Sequence, residues 1–197
     1  MAAGMAFVDA LRALNTMKVE GVVQEYAIAG AMALVFWTEP VSTYDVDVLV
    51  LLPPSTGPLV SLDGIYRWAS SRGYATHKEH VIIEGVPTQF VPSAGALGDE
   101  AIETAETLDY EGVSARVMLA GMVSRSEDAP SLGLRPRPSA ELLAKLRQGK
   151  AELRREREGL SLREKVGQVM ELQRIQYPLL ARQRPLEPWE RPWDIEP

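Results

Sequence analysis

The chain has 197 residues, 46% of them hydrophobic and 24% charged, with a formal net charge of -6 and no cysteine. That length supports one hydrophobic core with an appendage. The missing cysteines exclude disulfides, thiolate catalysis and thiolate zinc sites, leaving oxygen ligands and two histidines as metal donors.

No apolar run approaches the roughly 20 residues that cross a bilayer. Arg12 and Lys18 follow the first apolar positions instead of preceding them, so no signal peptide is expected and the expected location is cytoplasmic. Met5, Val8, Leu11 and Arg12 stand at helical spacing, with Ala6, Ala10 and Ala13 favouring helix, and Gly21 closes that region. Tyr26 to Ala29 reads as a short strand stopped by Gly30, and Ala31 to Trp37 as a buried helix ended by Glu39-Pro40. Val46 to Leu52, β-branched and Leu-rich before Pro53-Pro54, reads as a central strand. Leu59 to Arg72 is predicted as a helix with Leu62, Ile65, Tyr66 and Ala69 on one face.

His80 to Glu84 and Pro87 to Val91 are predicted strands joined by Gly85 as an antiparallel hairpin. Ala96 to Ala105 follows as a short helix. Thr107 to Glu111 and Val113 to Leu119 flank Gly112 as a second hairpin. The segment rich in Ser, Pro and Gly from Ser124 to Pro138 reads as a linker. Beyond it, Ser139 caps a predicted helix to about Glu158. Ser161 and Glu164 then form a capping box ahead of Val166, Val169 and Met170, giving a second, antiparallel helix. Pro178 to Pro197 holds five prolines with Trp189 and Trp193, so an irregular extended tail is expected. Its tryptophans require cover, on the domain or on a second copy in a homodimer through the C-terminal region.

The predicted class is therefore α/β (α+β): a mixed sheet flanked by helices, with a C-terminal helical hairpin and a Pro/Trp tail. Its divisions are a domain over 1–125, a linker over 126–138 and a helical C-terminal region over 139–197. Residues 1–130 carry 7 basic against 17 acidic side chains, and 131–197 carry 14 against 10. Interleaved signs in the basic part favour a charged helical surface docked on the acidic domain over a track for a polyanion.

The informative stretch is YAIAGAMALVFWTEPVSTYDVDVLVLL, residues 26–52. A strand alternates its side chains, so Asp45 and Asp47 project from one face while Val46, Val48 and Val50 share the other. Adjacent carboxylates repel unless a cation lies between them, and magnesium prefers such hard oxygen donors.

A strand ending in glycine and a small residue, a helix, and then a Thr-x-Asp-x-Asp strand is similar to the core of the DNA polymerase beta-like nucleotidyltransferases. The small bacterial ones of abortive-infection and toxin-antitoxin type are the nearest in pattern. The later stretches GVPTQFVP and LDYEGVSARV match that fold's later strands. The resemblance implies a nucleotidyltransferase-like domain over 1–125, Gly30 and Ala31 receiving the triphosphate, Thr43 as the hydroxyl residue before the acidic pair, and Asp45 and Asp47 as catalytic Mg2+ ligands. The implied reaction transfers a nucleoside monophosphate from an NTP to an acceptor hydroxyl, the acceptor being a protein, a tRNA end or a small molecule. Three positions depart from the family: Ala31 offers no hydroxyl, Val41 stands where a basic residue is common, and Gln89 occupies the place of a third carboxylate. Glu79 or Glu84 on the neighbouring strand is a substitute for it. The alternative reading is a catalytically degenerate domain of the same fold that binds a nucleotide or a partner. His77 and His80 are read as a turn entering a strand, and the 154–158 charge run as a solvated helix face.

Overall fold

The computed structural model describes residues 6–38, 40–54, 60–93, 95–122 and 159–197. In chain order the elements are α1 (Phe7–Val19), β1 (Glu25–Ile28), α2 (Gly30–Trp37), β2 (Val46–Leu51), α3 (Asp63–Ser71), β3 (Thr76–His77), β4 (His80–Ile83), β5 (Val86–Pro92), α4 (Gly95–Glu103), β6 (Glu106–Tyr110), β7 (Val113–Val117) and α5 (Leu162–Gln183). The strands form one seven-stranded mixed sheet in the order β3-β4-β5-β2-β1-β7-β6, with β2 in the middle. β2 runs antiparallel to β1 and parallel to β5, while β4–β5 and β6–β7 are the two expected antiparallel hairpins.

The alternation expected of β2 holds. Val46, Val48 and Val50 are buried, and Asp47 and Leu49 are half-buried on the opposite face. Tyr26 pairs with Val50 and its hydroxyl donates to Asn15 on α1 at 2.8 Å, so α1 covers the valine face. α3 joins that layer, because Trp68 Nε1 donates to Glu20 just beyond α1. α4 crosses the other face, over β2 and β1. Asp47 thus leaves the sheet on the side that α4 crosses.

Some boundaries differ from the sequence reading. α1 continues to Val19 because Ala13, Leu14 and Met17 extend its buried face. β3 is an additional two-residue strand, paired to β4 through Thr76↔Val81 and His77↔His80, which places the Lys78-Glu79 turn at the sheet edge. α5 starts on the expected capping box, with Ser161 and Glu164 satisfying each other's backbone N–H groups. It runs through Pro178 to Gln183, where an irregular tail was expected from Pro178 onward. A helical proline removes one donor and leaves the carbonyl four residues earlier unpaired. That carbonyl belongs to Arg174, in an exposed stretch open to solvent, and Leu179, Leu180 and Ala181 favour helix beyond it. The linker and the helix expected from Ser139 to Glu158 lie outside the described residues, and so does the pairing of that helix with α5.

The tail after α5 returns to the domain. Trp193 is 2% exposed and stacks on Phe7 with ring centres 6.0 Å apart, and Trp189 stacks on His80. Glu196 O accepts from Phe7 N at 2.9 Å. Both tail tryptophans therefore find their cover within the same chain. Among the described residues no helix is long and apolar enough to cross a membrane.

Candidate functional site

β1 ends beside β2, where Ala29 N donates to Asp47 O at 2.8 Å. The chain then bends at Gly30, whose φ is +57°, and enters α2. That backbone region suits glycine, and space demands glycine as well: a Cβ at Gly30 would lie 2.1 Å from Asp47 Oδ2. The hollow left by the missing side chain is filled by the Asp47 carboxylate. Ala31 is the second residue of α2 and is half-buried, with no side-chain donor to offer.

Asp45 lies just before β2 and is held from two directions. Thr43 Oγ1 is 3.0 Å from Asp45 Oδ1, and His80 Nε2 is 3.1 Å from Asp45 Oδ2. An ionised carboxylate only accepts, so in that state Nε2 carries the proton of the second contact. His80 is 3% exposed, and its buried Nδ1 has no hydrogen-bond partner among the described residues. Trp189 covers the imidazole at 4.8 Å between ring centres, and Lys78 lies over the same indole while pairing with Glu187 at 2.6 Å. Among the described residues Asp47 has no comparable compensation. Burial raises its pKa above the usual carboxylate value, the Asp45 charge raises it further, and His80 opposes both.

Register settles where the neighbours of the pair stand. Asp47 is opposite Gln89 on β5, and Gln89 is opposite His80 on β4, so the three positions form one row across the sheet. The strand position next to Asp47 therefore carries an amide. Glu84 is not in that row: it lies in the β4–β5 turn and accepts from Tyr74 OH at 2.7 Å. Glu79 lies in the β3–β4 turn, 3.9 Å from His80 Nδ1. Among the described residues no group of three or more His, Asp or Glu side chains is arranged to hold a metal ion.

The loop carrying Thr43 and Tyr44 is pinned by the far end of the chain. Gln173, fully buried on α5, donates from Nε2 to Thr43 O at 2.6 Å and accepts at Oε1 from Trp193 N at 2.9 Å. Its own carbonyl accepts from Tyr44 OH at 3.0 Å, and Trp193 Nε1 donates to Tyr44 O at 3.0 Å. Beyond Asp47 the carboxylate face opens into a cavity of about 330 Å³ under α4, bounded by Leu49, Val91, Leu97, Ala101, Met118 and Met122.

The structure thus gathers Gly30, Thr43, Asp45 and Asp47 at one end of β2. Sequence reasoning missed His80, Gln173 and Trp193. Spacing flagged His80 only as three residues from His77, and the tail tryptophans signalled a need for cover without naming the loop that supplies it. Neither protein-family models nor curated protein sequences give a match to this chain.

Proposed function

We propose that this chain is a metal-dependent nucleotidyltransferase of the DNA polymerase beta-like kind, moving a nucleoside monophosphate from an NTP to an acceptor hydroxyl with release of pyrophosphate. The observation that carries the reading is the seat of the Asp47 carboxylate on the side-chain-free Gly30 bend, with Asp45 two residues before it, just ahead of the same strand. Such carboxylates suit Mg2+, which is commonly bound by one or two acids and completed by water and phosphate oxygens. Asp45 and Asp47 would hold the ion, which supplies Lewis-acid stabilisation of the phosphate charge when bound.

The remaining roles belong to the chain itself. Thr43 and His80 fix the two oxygens of Asp45, so that its orientation is set before substrate arrives. The Gly30 bend and the first turn of α2 present backbone N–H groups to a phosphate. The test is incorporation of label from each NTP with Mg2+ present, and Asp45→Asn and Asp47→Asn are each expected to lower the rate by at least about a hundredfold. Activity equal to the parent in both variants would remove the assignment.

Gln89 beside Asp47 favours a second reading. A neutral amide takes no proton from an acceptor, so the fold would serve as a nucleotide-binding or partner-binding module. Saturable NTP binding by calorimetry, with no pyrophosphate released under any condition, would select it.

A further inference from the structure

We propose that the cavity beside Asp47 is the acceptor site, and that it takes a small apolar hydroxyl compound, uncharged or cationic. Its role as acceptor site rests on the transfer reading above, whereas its occupancy does not. At about 330 Å³ it lies at the small end of ligand pockets. Its walls are aliphatic and thioether groups from β2, α4 and the segment after β7, namely Leu49, Leu97, Ala101, Met118 and Met122. Among the described residues Asp47 is the one polar side chain on the wall, and no Lys or Arg lines it.

These facts decide the class of occupant. An apolar group entering gains roughly 25 cal/mol for each Å² withdrawn from water, and methionine walls adapt to its outline. Among those aliphatic and thioether walls, an anionic group that brings no metal ion would lose its hydration and meet Asp47, with the Asp45 charge close enough to act on it, so a phosphate-bearing RNA end is disfavoured as acceptor. A hydroxyl at the inner end has one acid to donate to, beside the strand that carries the transfer chemistry. The shape is set before binding. Ser93 Oγ donates to Asp99 Oδ1 at 2.5 Å, and the Gly98 backbone approaches so closely that a Cβ there would lie 2.9 Å from Ser93 Oγ, which holds α4 down on the end of β5.

The experiment uses the full chain with 13C-methyl methionine labels, titrated without nucleotide with 4-phenylbutanol, 4-phenylbutylamine and 4-phenylbutanoate. Saturable shifts of the Met118 and Met122 signals are expected for the alcohol and the amine, with the carboxylate about tenfold weaker or worse. Ala101→Phe, which fills the cavity, should abolish the response. Leu97→Lys, at the half-exposed rim, should instead tilt the preference toward the carboxylate. Absence of saturable shifts in the parent, equal affinity for the carboxylate, or an unchanged response in both variants overturns the site. Binding of the alcohol with no NTP turnover would sustain the cavity while removing the transfer reading. Label transfer to RNA or to a protein at an unchanged rate in Ala101→Phe would remove the acceptor assignment alone.

Discussion

Gly30 and Asp47 constrain each other. Placing a methyl group at Gly30 forces a β-carbon into the Asp47 carboxylate and a side-chain-bearing residue to φ +57°. The backbone penalty alone is about 1 kcal/mol, and the overlap adds to it. Gly30→Ala is therefore expected to lower unfolding stability by roughly 2–3 kcal/mol. In an Asp47→Ala background the loss should shrink toward the backbone value, so a denaturant double-mutant cycle should return a coupling above about 1 kcal/mol. Asp47 itself is held against its own preference. With a pKa raised in the folded state, it binds more protons folded than unfolded between its two pKa values. Folding is penalised above the folded value, and the penalty is relieved as pH falls below the unfolded one. Asp47→Asn should raise stability at pH 7 and, on the proposed reading, abolish transfer, with the stability gain fading in parallel melts as pH falls below the unfolded value.

At the scale of elements, α5 acts on the site through Gln173. Replacing that amide by leucine removes the part-buried donor to Thr43 O and the buried acceptor for Trp193 N. A loss of about 2–4 kcal/mol is expected, read as a lower denaturant midpoint at unchanged slope. On the proposed reading transfer should fall with it, because Thr43 orients Asp45. The elements themselves are largely legible in the residues. The Val46–Leu52 run announces β2, the Gly85 and Gly112 bends announce two hairpins, and Ser161 with Glu164 marks the start of α5 correctly. Period and capping are local signals, and these elements are local events. Contacts on which the site depends are not local: His80 reaches Asp45 across 35 positions, and Gln173 reaches Thr43 across 130. Pairing of that kind depends on the path of the chain, which no short window of residues encodes. Pro178 misled for the complementary reason: the lost hydrogen bond falls on an exposed stretch of α5, and the helix continues through it to Gln183.

For the whole molecule, the tail after α5 is tied to itself by an ion pair. Arg184 donates through Nη1 to Glu190 Oε2 at 2.7 Å and through Nη2 to Glu190 Oε1, while Glu187 N donates to Oε2 at 2.8 Å. These bonds to Arg184 lower the Glu190 pKa from 4.5 to about 2. A depressed pKa stabilises the folded form above the unfolded value, and that stabilisation is lost as pH falls from about 4.5 through about 2. Tryptophan emission should shift to the red over that window, as Trp189 and Trp193 leave their partners, and Glu190→Gln should flatten this limb. The return of the tail to the domain has a temporal side as well. Trp193 Nε1 is bonded to Tyr44 O, 149 positions earlier. At about 5–20 residues per second, synthesis separates the two by on the order of ten seconds. During that interval Tyr44 O has been made and its Trp193 donor has not, so the loop ahead of Asp45 gains this anchor only at the end of synthesis.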